Sequence, residues 1–217
     1  SIAGAGTENT AALAFGGEPT TAKTELYNGT NWVEQNDLNT ARSQLGGTGT
    51  QTAALAIGGS SPTSATEEWT GAGEPVGAWA TQANMNTARE VNGAGTVYTA
   101  ALAFGMGNVA TELWGGSSWT TVNSLNTSKS LSAGFGASDS AINCGGEVGP
   151  SSSALTETWN GTNWAETADL NLARYGLAAA GVSNTSGLVF GGANPFYAQT
   201  EKWNGTSWTE VGDLNTA

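Results

Sequence analysis

Five tryptophans, Trp32, Trp79, Trp119, Trp164 and Trp208, follow one another at intervals of 47, 40, 45 and 44 residues. A second aromatic precedes each of them, at Tyr27, Trp69, Trp114, Trp159 and Trp203, and the two series use all nine tryptophans of the chain. Three further signals keep the same phase. A Thr-Glu pair recurs at Thr24, Thr66, Thr111, Thr156 and Thr200. A glycine-rich stop to an apolar run recurs at Gly16, Gly58, Gly105, Gly145 and Gly191. Leu38-Asn39-Thr40-Ala41-Arg42 returns as Met85 to Arg89, Leu125 to Lys129, Leu170 to Arg174 and Leu214 to Ala217. A period of this length restricts the chain to folds in which one supersecondary unit stacks on copies of itself.

Each repeat reads as four short strands. The first is rich in glycine and alanine, as in Val91 to Thr96. The second is an apolar run, as in Thr99 to Phe104, ended by glycine. The third carries Thr-Glu and the first aromatic, and the fourth starts at the second tryptophan. Asn-Gly at Asn28, Asn160 and Asn204 supplies turn chemistry between the last two. Four strands per repeat of this length are the signature of a propeller blade. The expected fold is all-β: a five-bladed β-propeller of four-stranded antiparallel blades, in one domain spanning 1–217. Blades are expected at 1–42, 43–89, 90–129, 130–174 and 175–217. The small residues of the first strands suit close approach near an axis. The ring is expected to close by packing of the first blade on the last, with Trp32, Trp119, Trp164 and Trp208 buried between blades.

The order Gly-Gly, aromatic, Trp, basic residue resembles the kelch repeat. Tyr27-Asn28-Gly29-Thr30-Asn31-Trp32 is similar to that family's Tyr-Asp-Pro-x-Thr-x-x-Trp segment, and Leu-Asn-Thr-Ala-Arg to its Met-Pro-x-x-Arg. The resemblance covers the whole chain, with a repeat shorter than the kelch norm of about 50 residues and Asn-Gly in place of Asp-Pro. Leu-Asn-Thr-Ala-Arg arrays also resemble ones predicted in marine phage proteins. The WD40 signatures, Gly-His and Trp-Asp, are missing.

Composition removes whole classes of chemistry. Histidine is absent and Cys144 is the single cysteine, which excludes His-based nucleophile systems, His-ligated metal sites and intrachain disulfides. Neither metal nor cofactor is expected. Eighteen acidic against six basic residues leave a net charge of −12, unsuited to nucleic acid or an anionic membrane surface. No apolar run is long enough for membrane insertion. The chain begins at Ser1 without an initiator Met, so a longer polypeptide or assembly is expected around it.

Residues that recur in every blade serve the fold first, so function is sought where repeats diverge. The loops between second and third strands vary most: Glu18 to Lys23, Ser60 to Ala65, Asn108 to Ala110, Glu147 to Leu155 and Ala193 to Gln199. The last holds Asn194, Phe196 and Tyr197, two adjacent aromatics in a polar loop, suited to a sugar or protein contact and equally to packing on the blade. Blade 2 also carries an enlarged loop, Thr70 to Ala78. Arg42, Arg89, Lys129 and Arg174 admit two readings: partners of the Thr-Glu carboxylates, or a ring of cations receiving an anionic group. Glu8, Glu90 and Asp139 stand at unmatched positions, unlike the carboxylate pair of a glycoside hydrolase. The expected function is therefore non-enzymatic binding of a carbohydrate or protein receptor, outside the cell or on a virion. The alternatives are a structural propeller within a larger assembly and, more remotely, a glycoside hydrolase.

Overall fold

A computed structural model of the protein describes residues 2–60, 63–71, 77–193 and 195–216. Asn194 and the middle of the blade 2 insertion, 72–76, lie outside the described residues. Strand follows strand in the expected order. Blade 1 is β1 (Ala3–Glu8), β2 (Ala11–Phe15), β3 (Thr24–Tyr27) and β4 (Trp32–Glu34). Blade 2 is β5 (Gly46–Gly49), β6 (Ala53–Ile57), β7 (Thr66–Thr70) and β8 (Ala78–Gln82). Blade 3 is β9 (Asn92–Val97), β10 (Ala100–Phe104), β11 (Thr111–Trp114) and β12 (Trp119–Val122). In blade 4, β13 (Ala133–Ala137) and β14 (Ser140–Cys144) precede a small hairpin, β15 (Glu147–Val148) and β16 (Ser151–Ser152). Its sheet resumes with β17 (Thr156–Trp159) and β18 (Trp164–Glu166). Blade 5 is β19 (Ala178–Ser183), β20 (Ser186–Phe190), β21 (Thr200–Trp203) and β22 (Trp208–Val211). Each blade is a four-stranded sheet with its strands in chain order, and no helix occurs among the described residues.

By internal contact the chain forms two compact units, Ser1–Ala103 with Glu112–Thr121, and Phe104–Thr111 with Val122–Ala217. In the first, β1 packs on β5 and β5 on β9. Glycine makes that spacing possible: a Cβ on Gly47 would stand 2.6 Å from the carbonyl oxygen of Gly4. In the second unit β13 packs on β19, and the Phe135 ring lies where a Cβ on Gly181 would be, 2.4 Å away.

Apolar cores fill the spaces between blades. Phe15, Leu38, Leu45, Trp69 and Trp79 form one, and Ile57, Met85, Val91, Trp114 and Trp119 the next. The second unit repeats the pattern with Ile142, Cys144, Leu170, Leu177, Trp203 and Trp208. Inside a blade the two aromatics are cross-strand partners, as in Trp69↔Trp79 and Trp203↔Trp208. Their ring centroids lie 5.4 and 5.1 Å apart, within the range of favourable aromatic pairs. Each buried indole of the second series donates to the Thr-Glu threonine of the preceding blade: Trp79 to Thr24 at 3.0 Å, Trp119 to Thr66 and Trp164 to Thr111 at 2.9 Å, and Trp208 to Thr156 at 3.3 Å. The repeated Thr-Glu pair thus has its first structural reason.

One expectation of burial fails. Trp32 is 50% exposed, whereas Trp119, Trp164 and Trp208 are buried as expected. Trp32 pairs with Tyr27 inside its own sheet, and half of its surface faces solvent.

Candidate functional site

The cationic series meets the Thr-Glu carboxylates inside the protein. Arg42 Nη2 lies 3.1 Å from Glu67 Oε1, and Nη1 of Arg89 and of Arg174 each lies 2.5 Å from Glu112 and Glu201. The same guanidiniums donate to carbonyls of the facing second strand or its end: Ala56, Ala103 and Gly191. The other carboxylate oxygen accepts the backbone N–H of the motif asparagine, as Glu67 does from Asn39 at 2.7 Å and Glu201 from Asn171 at 2.7 Å. The segments ending in Arg42, Arg89 and Arg174 are therefore latches into the following blade. Burial pushes the Arg42 guanidinium below its ordinary pKa, and Glu67 opposes the shift.

Blade 4 varies the latch. Lys129 sends its ammonium to the carbonyls of Asn143, 3.2 Å, and Leu155, 2.8 Å, while Glu157 takes backbone N–H groups from Asn126 and Thr127. Burial holds the Lys129 amine below its usual pKa, with Glu157 opposing. Opposite it, the fully buried Asn143 amide has no partner on either polar atom. Arg42, Arg89, Lys129 and Arg174 are all buried. As a cation ring open to an anionic ligand the series is thereby corrected: these charges are enclosed by carboxylates and carbonyls, out of reach of a solute.

Cys144 is equally enclosed. Burial raises its thiol to about 12, so it stays protonated and unreactive at neutral pH.

The divergent loop of blade 5 is built differently. Gly191 and Gly192, at φ of 67° and 121°, turn the chain out of β20. Gly191 N–H then bonds the Gln199 carbonyl at 3.1 Å, and Tyr197 N–H the Gly192 carbonyl at 3.0 Å, so the loop is tied at its neck and across its middle. Ala193 N–H donates to the Tyr175 carbonyl at 2.8 Å, which sets the loop beside the connection between blades 4 and 5. Phe196 stands at the tip, 81% exposed, next to a half-buried Tyr197. A fixed backbone presenting a bare aromatic ring is the arrangement a stacking or anchor contact needs. The bridge also brings in Tyr175, half-buried, which sequence reasoning missed. Its signal was available: the residue after the basic position is Ser43, Glu90 or Ser130 in the earlier blades, and aromatic only here.

Comparison with known proteins bears on the fold. No protein-family profile matches the chain, and neither does any curated protein. Among 291 matching solved chains is one titled "Structure of YjhT". It has a TM-score of 0.76 and 11% identity, over 99% of this chain and 84% of that one. The chain has the five-bladed β-propeller fold. At this identity the likeness concerns architecture alone, since one fold hosts many functions.

Proposed function

We propose that the protein is a non-enzymatic recognition module of kelch-like blades, binding a carbohydrate or a protein receptor through the blade 5 loop of Phe196 and Tyr197. The observation that carries the reading is the 81% exposure of Phe196 on a loop held by three backbone hydrogen bonds. A large apolar side chain left in water on a fixed loop gains by being covered, and a sugar ring or an apolar receptor surface can cover it. Asn194, on the same loop, supplies an amide for hydroxyl groups, and Tyr175 and Tyr197 add further polar-tipped rings. Arg42, Arg89, Lys129 and Arg174 take no part, because they are spent within the fold. Display outside the cell or on a virion belongs to the same proposal, since glycans and receptors are met there.

The test begins with a glycan array and a panel of cell-surface proteins probed with the full chain. Affinity for any hit is then measured on a Phe196→Ala/Tyr197→Ala variant. A loss of about tenfold or more, with an unchanged unfolding transition, is the expected result. Retained affinity would place the binding surface elsewhere.

A further inference from the structure

Three latches share one composition: a buried arginine meets a buried glutamate, Arg42 with Glu67, Arg89 with Glu112 and Arg174 with Glu201. Directly across the sheet from each glutamate stands a small apolar residue, Ala56, Ala103 or Val189. Blade 4 keeps the glutamate, Glu157, and changes both other positions together: the cation is Lys129, and the residue across the sheet is Asn143. The two changes share a chemistry. A guanidinium keeps its proton, whereas an amine that sheds one is a nucleophile. A carboxamide brings an electrophilic carbon where an alanine or valine has none.

The geometry sets these groups together inside the second unit. Lys129, Asn143 and Glu157 are all fully buried. Lys129 Nζ lies 3.2 Å from the Asn143 backbone oxygen and 2.8 Å from that of Leu155, so the amine reaches β14 at the residue that bears the carboxamide. Asn143 and Glu157 are directly opposed across β14 and β17, which puts their side chains on the same face of the sheet. Among the described residues, neither Nδ2 nor Oδ1 of Asn143 has a hydrogen-bond partner, so no bond holds the carboxamide away from the amine. Burial holds the Lys129 amine below its usual pKa, which favours the neutral form, and Glu157 is the charge that opposes this most. Glu157 itself is fixed: Oε2 takes the Asn126 N–H at 2.8 Å and Oε1 the Thr127 N–H at 3.1 Å. A carboxylate oxygen so engaged has a second lone pair for a proton.

We infer that Lys129 and Asn143 join in an intramolecular amide bond, with Glu157 as the proton carrier. Glu157 takes one proton from the Lys129 ammonium, and the neutral Nζ adds to Asn143 Cγ. Glu157 returns that proton to Nδ2, the Cγ–Nδ2 bond breaks and ammonia departs. The surplus proton on Nζ follows through the same carboxylate and leaves as ammonium. One C–N bond forms and one breaks, with nothing oxidised or reduced. Enclosure keeps water from the amine before the step and from the new amide after it. The bond ties the segment leaving blade 3 to the second strand of blade 4.

The test is the intact mass of the full chain under denaturing conditions. The expected value lies one ammonia, about 17 Da, below the mass of the sequence. Trypsin should then pass over Lys129 and leave residues 90–174 as one light peptide, with fragmentation placing the branch between Lys129 and Asn143. Lys129→Arg should restore the full mass, and Glu157→Gln should hold the chain at full mass when the parent has completed the loss. Full sequence mass in the parent, with trypsin cutting at Lys129, overturns the inference. A loss of ammonia that persists in Lys129→Arg overturns it too, since it would belong to succinimide formation at Asn28-Gly29, Asn160-Gly161 or Asn204-Gly205.

Discussion

At the scale of single residues, position within the repeat and exposure tell different stories. Trp119, Trp164 and Trp208 are each enclosed by two blades and each spends its indole N–H on a threonine. Truncation to alanine there removes buried area and strands a buried hydroxyl, for a cost of about 3–5 kcal/mol. Trp32→Ala gives up a half-exposed ring and should cost roughly 1 kcal/mol or less. Urea unfolding of the four variants checks the split. Cys144 supplies a pH test. Its folded-state pKa is raised, so the folded form holds a proton that the unfolded form has lost between about 9 and about 12. The stability this contributes is complete below pH 9 and drains away as pH rises through that window. Cys144→Ala should therefore lose less stability than the parent between pH 9 and 11, and the native thiol should resist alkylation at pH 8. Burial of Cys144 was legible because it shares a register with Phe15, Ile57, Phe104 and Phe190. Exposure of Trp32 was not, since the sequence motif around it matches the others.

At the scale of the blade, the recurrent pairs explain why the repeat tolerates so little change. Glu112→Gln leaves Arg89 buried with a weaker acceptor, and breaking such a pair costs about 3–5 kcal/mol. Blade 4 shows what a partial departure looks like. Lys129 stands where arginine is usual, and Asn143 where the other blades have Ala14, Ala56, Ala103 or Val189. The shorter cation and the larger facing side chain compensate in volume, at the expense of an amide without partners. In Lys129→Arg, which cannot form the Lys129–Asn143 bond, adding Asn143→Ala should raise stability by about 1–2 kcal/mol. Thermal unfolding of the two variants measures the difference. Strand order and the ends of most strands could be read from the sequence because turn glycines and tryptophans punctuate every repeat. The β15–β16 hairpin could not: it occurs in one blade, across Gly149-Pro150, so no repeat points to it.

At the scale of the whole chain, repetition and divergence divide the labour. Repeated residues build interfaces between blades, and they include the cations that sequence alone left open to a second role. Their fate was illegible because a guanidinium in a socket and one at an open rim have the same spacing in sequence; only the register opposite Glu67, Glu112 and Glu201 decides. The blade 5 loop was legible as a break in the pattern, and its exposure is what the structure adds. Recognition through that loop is the central claim. Its most direct measurement is calorimetric titration of one glycan or receptor hit against three forms of the full chain: parent, Phe196→Ala/Tyr197→Ala, and Glu25→Gln. Loss of about tenfold or more in the double variant alone, with Glu25→Gln matching the parent, is the predicted result. Parent-like affinity in a folded Phe196→Ala/Tyr197→Ala variant would contradict it.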